Sequence, residues 1–251
     1  MYKFILLTLF LCVSLYAGTI HIAVSANVTF PIKELKKEFK KLYPEIDLKV
    51  TFGSSGKLTT QIINGAPFSL FMSANMDYPN NLYEYGIAIT KPIIYVQGAL
   101  VYFSVKKMDF SKGINLLKDE EISKIAVANP ITAPYGKAAF EAMKNAGVLE
   151  SAMPKFVYAK SISGTVSNAL NLTDIGIIAK SALYDPRMIK YKENINWIDI
   201  DPRLYTPINQ GMVILKNAHN NDEVKTFYDF ILSDRAKKIF KSFGYFIPYN
   251  K

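Results

Sequence analysis

The stretch Gly53-Ser54-Ser55-Gly56-Lys57 gathers two glycines, two hydroxyls and an ammonium just ahead of an apolar-periodic run. Such a turn can cradle an anion, because backbone N–H groups at a helix start lack intrahelical partners and favour negative charge. A nucleotide P-loop is the first chemistry to test. That motif sets four residues between its glycines and then places Lys and a hydroxyl residue. Here only Ser54 and Ser55 stand between Gly53 and Gly56, and Leu58 follows Lys57. No hydroxyl is in place for magnesium, and the loop is too short to wrap a di- or triphosphate. Two readings remain open for this turn: a cradle for a smaller anion, or a plain helix cap by Ser54 or Ser55.

Three more turns share this chemistry. They are Ser25-Ala26-Asn27, the segment from Asn129 to Gly136, and Ser161 to Gly164. All are rich in small or hydroxyl residues, and none holds Asp or Glu. If all four turns face one cleft, they form a ring of neutral donors. Lys57, at its helix start, is expected to point to solvent and stays outside the site.

Other chemistries find little support. The only histidines are His21, in an expected strand, and His219, in a polar loop. No G-x-S-x-G elbow accompanies them, so a Ser-His-Asp hydrolase is rejected. No paired His or Cys spacing suggests a bare metal ion. Asp199 and Asp201 flank Ile200 where a strand end turns into a loop. The chain is read as a binding protein and not an enzyme, with no catalytic residue and no cofactor.

The elements that must position these turns alternate from Gly18 onward. "TIHIAVSA" reads as a strand. "TFPIKELKKEFKKLYPEI" reads as a helix with Ile32, Leu35, Phe39 and Leu42 on one face, capped by Thr29 or Asn27. "DLKVTFGS" is a second strand, and "GKLTTQIINGAP" a helix with Leu58, Ile62 and Ile63 apolar. "FSLFMSA" is a third strand. This β-α-β-α-β order predicts parallel strands joined by right-handed crossovers. Residues 93–107 read as one long strand region, and a second β-α series follows from "KIAVANP" to "DIGIIAKSAL". A strand over 210–216 and one periodic terminal helix over 222–244 complete the chain.

The expected fold is therefore α/β with two lobes, each a mostly parallel sheet flanked by helices, hinged around a central cleft. The expected boundaries are 18–99 plus 208–251 for lobe 1 and 100–207 for lobe 2, with crossings near 97–104 and 205–211. Ligands in open α/β sheets bind beyond the carboxyl ends of strands.

The chain has 251 residues, half of them apolar, enough for a substantial core. Its first 17 residues read as a secretory signal peptide: Lys3, then an uncharged run from Phe4 to Ala17, with cleavage after Ala17. That run of 14 residues falls short of the roughly 20 that span a bilayer. A lipoprotein anchored through Cys12, the only cysteine, is the lesser alternative, because Leu11 is bulky before it. Removal of the leader would leave no cysteine, which excludes disulfides and thiolate chemistry. The formal charge of +9 becomes +8 without Lys3. Its lysines are scattered, as in "KELKKEFKK", where Glu34 and Glu38 alternate with them, so a nucleic-acid partner is not expected.

The stretches "VSANVTF", "GSSGKLTTQIINGAPFSLFMSAN", "ANPITAPYG" and "GMVILK" resemble the periplasmic molybdate-binding proteins of ABC importers. The likeness runs over nearly the whole mature chain. It implies two α/β lobes around a buried tetrahedral oxyanion, held by hydrogen bonds without a charged partner. It implies a monomeric exported receptor, a molybdate or tungstate ligand, and a membrane permease as partner. Carried over by residue, it implies that Asn27 and the backbone of Ala26 serve the first turn and Ser55 the second. Tyr135 serves the third, and Ile162 donates its backbone N–H from the fourth. Some members carry a tyrosine where this chain has Ala179, and Tyr135 is the candidate to supply that hydroxyl. A fully ionised oxyanion needs donors only, whereas phosphate near neutral pH also wants an acceptor for its proton. That disfavours phosphate and leaves sulfate as the alternative, with a tyrosine-based ferric-ion binder further behind.

Overall fold

The computed structural model describes residues 18–248; the expected leader and Cys12 lie outside them. The chain runs β1 (Thr19–Ser25), α1 (Thr29–Leu42), β2 (Asp47–Gly53), α2 (Ser55–Ile63), β3 (Leu70–Met72), α3 (Asp77–Glu84) and β4 (Ile93–Gly98). It continues through β5 (Leu100–Phe103), β6 (Ile125–Ala128), α4 (Pro134–Asn145), α5 (Leu149–Ala152), β7 (Phe156–Ala159), α6 (Ile162–Asn171), β8 (Ile175–Ala179) and β9 (Trp197–Asp199). It ends with β10 (Ile208–Ile214), α7 (Asp222–Leu232) and α8 (Asp234–Ser242).

Among the described residues, the strands form two five-stranded sheets, ordered β2-β1-β3-β10-β4 and β7-β6-β8-β5-β9. Both follow one plan. The pairs β1–β2, β1–β3, β6–β7 and β6–β8 are parallel, as the β-α-β units require. The pairs of β10 with β3 and β4, and of β5 with β8 and β9, are antiparallel, so each sheet is mixed.

Alternation along the strands builds a core on each face. On β1, Ile20, Ile22 and Val24 face Leu35 and Phe39 of α1 and Phe227 and Phe240 of the last two helices. Ala23, Phe71 and Val213 face the other way, onto Leu58 and Ile62 of α2. In the second sheet Leu100, Ile125 and Ile177 share one face, and Val101, Ala126 and Ile178 the other.

Several local expectations need correction. The apolar run 93–107 is not one strand: after Gly98 a single residue, Ala99, carries the chain from β4 in one sheet to β5 in the other. Leu42 is 46% exposed, because the buried stripe of α1 continues from Phe39 by four residues to Tyr43, whose ring lies 4.9 Å from that of Phe39. Ile63 is likewise exposed, while α2 buries Ser55, Leu58, Thr59 and Ile62. Neither Thr29 nor Asn27 caps α1 with its side chain; Val28 holds the cap position, and Thr29 Oγ1 donates to the Ala26 carbonyl at 2.6 Å. The terminal helix breaks at Ser233. That residue ends α7 and caps α8, its Oγ accepting from Ala236 N at 3.2 Å.

Candidate functional site

Strand ends and helix starts from both sheets meet at one small, partly open cavity. Each of the four turns contributes to its wall. Ala26 and Asn27 come from the 3₁₀ turn after β1, and Ser54 and Ser55 from the start of α2. Tyr135 comes from the first turn of α4, and Ile162 is the first residue of α6. Ala26, Asn27, Ser55, Tyr135 and Ile162 thus line a common wall, and among the described residues no charged side chain lines it. Lys57 is exposed and stands outside it.

The donors can be traced atom by atom. Ser55 is fully buried, and its Oγ accepts from Ala74 N–H at 3.0 Å and lies 2.5 Å from Ser25 Oγ. With Ser25 as donor in that pair, both lone pairs of Ser55 are engaged and its proton is left for a ligand. Neither Ser54 nor Ser55 caps α2 through its side chain. In the first turn of α2, Gly56 N–H goes across to Thr132 O at 3.1 Å, while the N–H of Ser55 has no intrahelical acceptor. At α6, Ser161 Oγ accepts from Gly164 N at 3.3 Å, which leaves the N–H groups of Ile162 and Ser163 without intrahelical partners.

Behind the cavity lies a polar network that the turn motifs did not announce. Asn27 Nδ2 donates to Gln210 Oε1 at 2.9 Å and to Tyr245 Oη at 3.0 Å, and stands 3.5 Å from Tyr135 Oη. Gln210 Nε2 donates to Tyr135 Oη at 3.0 Å, and Tyr95 Oη donates to Gln210 Oε1 at 3.0 Å. The Asn27 carbonyl accepts from Tyr245 Oη at 2.7 Å and from Ser181 Oγ at 3.0 Å. Tyr135 therefore accepts from amide groups and keeps its own proton to give. The readable signal for Gln210 was a polar pair, Asn209-Gln210, inside the otherwise apolar strand "INQGMVI", with Gln210 at the buried position. Tyr95 and Tyr245 carried none, since their rings look like any core aromatics.

Burial pushes the Tyr95 and Tyr135 hydroxyls well above their ordinary range, and neighbouring phenols add to it. Burial likewise raises Tyr245 to about 12, against hydrogen bonds from Ser181 and Asn27. All three remain neutral hydroxyls at physiological pH.

The two sheets' elements also touch outside the cavity. Tyr78 Oη donates to Ile131 O at 3.1 Å, and Lys137 Nζ lies 3.3 Å from Asp77 Oδ2. Ser163 Oγ donates to Ala26 O at 3.1 Å. A wider cavity, about 220 Å³, opens between α3, α4 and residues 206–209. Asp77 and Glu141 line it against the single ammonium of Lys137, a charge balance that disfavours an anion.

The residues weighed for catalysis lie in structural roles. His21 Nε2 bonds Thr51 Oγ1 at 2.9 Å between β1 and β2. Asp199 pairs with Lys180 at 2.7 Å, and Asp201 pairs with Arg203 at 2.6 Å and caps its turn. Among the described residues no three His, Cys, Asp or Glu side chains group as a metal site. Tyr135 in the wall and Tyr95 and Tyr245 behind it do gather, though no two are adjacent in sequence, and their hydroxyls are bonded to amides and carbonyls.

Residues 20–246 match the family described as bacterial extracellular solute-binding protein. The chain is 35% identical over 233 residues to the molybdate-binding protein ModA of Rhodobacter capsulatus, covering 91% of this chain and 88% of that one. It is 31% identical over 233 residues to ModA of Azotobacter vinelandii, covering 91% and 90%. The solved structure of the Azotobacter vinelandii periplasmic molybdate-binding protein superposes with a TM-score of 0.83 at 27% identity, covering 91% of this chain and 99% of that one.

Proposed function

The chain belongs to the bacterial extracellular solute-binding proteins, and on that footing we propose that it captures molybdate or tungstate and delivers it to a membrane importer. The observation that carries this reading is the cavity where four strand-to-helix turns present neutral donors and no charge. Its similarity to molybdate-binding proteins of two organisms supports the choice of anion.

The energetics favour such a cradle. A fully ionised oxyanion offers acceptors only. Each hydrogen bond to a charged group contributes about 1.5–3 kcal/mol. About six donors, from Ala26, Asn27, Ser55, Tyr135 and Ile162, could exceed the roughly 10–12 kcal/mol of a tight binder after ordering costs. Hydrogen phosphate brings a proton that needs an acceptor, and no carboxylate lines the described wall. Sulfate differs mainly in size and is the competitor to measure.

In this reading residues 18–99 with 208–251 form one lobe and 100–207 the other. The protein is exported to the periplasm by its leader, acts as a monomer and a receptor without catalysis, and needs no cofactor. Closure of the lobes is the state a permease recognises. Equilibrium dialysis of the mature chain against molybdate or tungstate, followed by elemental analysis, tests it. One molybdenum or tungsten per chain is expected; none retained for either anion would sink the reading.

A further inference from the structure

We propose that Gln210 is a positioning residue that sets which end of the Asn27 amide faces the oxyanion. This rests on the oxyanion reading above and names a residue that touches no ligand.

Gln210 is fully buried on β10, at a register shift between Gln210 and Gly211. It joins the two sheets' elements through its two amide ends. Oε1 accepts from Asn27 and Tyr95, whereas Nε2 donates to Tyr135 on α4. The meeting depends on a glycine beside the crossing, because a Cβ at Gly98 would lie 2.0 Å from Tyr135 Oη and 2.8 Å from Gln210 Nε2.

Asn27 is 4% exposed, and its Oδ1 has no partner among the described residues, whereas Nδ2 is oversupplied with acceptors. A buried amide oxygen without a donor is unfavourable. Beside a dianion it would also repel. Turning Asn27 alone does not help, since Oδ1 would then lie about 2.9 Å from Gln210 Oε1, acceptor against acceptor. Turning both amides keeps the Gln210–Asn27 bond and gives Asn27 Oδ1 a donor, at the expense of the Asn27–Tyr245 side-chain bond, because Tyr245 Oη already gives its one proton to Asn27 O. Gln210 Nε2 then donates to Asn27 Oδ1 and Tyr95 Oη, and Tyr95 donates to Ser73 O, 3.3 Å away. Gln210 Oε1 then faces Tyr135 Oη, whose single proton goes to that oxygen or to the anion, and Asn27 Nδ2 is released as a donor to the cavity it lines. The two amides are therefore coupled, and the anion selects the state in which Asn27 donates.

The substitution Gln210→Glu separates positioning from packing. The new side chain has the same shape, but its carboxylate can only accept, which holds Asn27 Nδ2 backwards and adds a negative charge behind the site. The titratable groups bonded to Gln210 are Tyr95 and Tyr135, with Tyr245 bonded to Asn27, and burial keeps all of them protonated near neutral pH. Molybdate affinity of the wild type is therefore expected to stay flat from about pH 6 to 8.5. Q210E is expected to bind nearly as tightly as wild type at the acid end. It should weaken at least about tenfold across that range as the new carboxyl ionises. A Q210E affinity equal to that of the wild type across the whole range would overturn the proposal. As a check free of folding effects, side-chain amide NMR of the wild type should show the Gln210 and Asn27 signals shifting together on molybdate addition. A Gln210 signal that stays put while Asn27 moves also overturns it. If the wild type binds no molybdate, it is the oxyanion reading that fails; if it binds and Q210E behaves identically, only the positioning role fails.

Discussion

The turn after β2 and the turn after β7 hold the same place in two sheets of one strand plan, and each sets a serine at a helix start, Ser55 as the first residue of α2 and Ser161 just before α6. Their hydroxyls are used differently. Ser161 Oγ caps α6 by accepting from Gly164 N, so the second sheet offers the cavity only backbone N–H groups there. Ser55 makes no cap; its Oγ accepts from Ala74 N and pairs with Ser25. The turns after β1 and β6 differ in the same sense. The first is a short 3₁₀ turn that inserts the Asn27 amide, while the second is a longer loop leading to Tyr135 in α4. One sheet therefore brings a prearranged set of polar side chains, and the other mainly helix N-termini and one phenol. A serine at a strand-to-helix turn does not declare its role, which is decided by what the next strand places beside it.

The largest break in this contrast should come at the crossing, where the two sheets share one network. Gly98→Ala would drive Tyr135 Oη and Gln210 apart. Loss of about two charge-assisted hydrogen bonds predicts weaker molybdate binding by on the order of 100-fold or more. Calorimetry on a variant that keeps its circular dichroism spectrum checks this, and unchanged affinity would mean Tyr135 has room to spare.

Ser55→Ala comes next. One hydrogen bond to the anion is lost, about 1.5–3 kcal/mol or roughly 10- to 150-fold in affinity, and the melting temperature falls by a few degrees because buried Ala74 N–H and Ser25 Oγ lose their partner. Ser161→Ala should cost stability without the affinity. Loss of a cap costs about 0.5–2 kcal/mol, a few degrees in Tm at most, while affinity changes far less. Equal effects of the two variants on affinity would erase the distinction between the turns.

The smallest effect concerns pH and separates the cavity from the N-terminal ends of β6 and β8. At Asp174 burial favours the neutral acid, but hydrogen bonds from Ser123, Lys106 and Lys124 outweigh it and hold the carboxyl at about 2. A carboxyl lowered by folding stabilises above its ordinary range and loses that contribution as pH falls toward about 2. Thermal melts should therefore drop between about pH 4 and 2, less steeply in Asp174→Asn. Binding near neutral pH should not change in that variant, since Asp174 is no part of the cavity wall.

The β-α alternation and the apolar stripes were legible because period-2 and period-3.6 patterns report burial directly. The crossing between sheets falls within the expected 97–104, but its tightness was not legible, since nothing in 93–107 says that Ala99 alone separates two strands. The two-helix end was readable in principle from Ser233-Asp234, a cap signal inside a periodic run. The four turns stood out by composition. Their supporting shell did not, because Gln210, Tyr95 and Tyr245 come from strands and a tail distant in sequence, and only tertiary packing brings them to Asn27. Leu42 misled because a 3-residue and a 4-residue step from Phe39 both keep helical period, and only the neighbouring helices choose Tyr43.

The proposed site is a cradle of neutral donors, which favours a fully ionised tetrahedral oxyanion over a protonated one. Titration calorimetry of the mature wild-type chain with molybdate, tungstate, sulfate and phosphate at neutral pH probes that preference without any substitution. Saturable one-to-one binding of molybdate and tungstate is expected, with weaker or absent heat for sulfate and none for phosphate. Binding of phosphate as tightly as molybdate, or no heat with either large oxyanion, would contradict it.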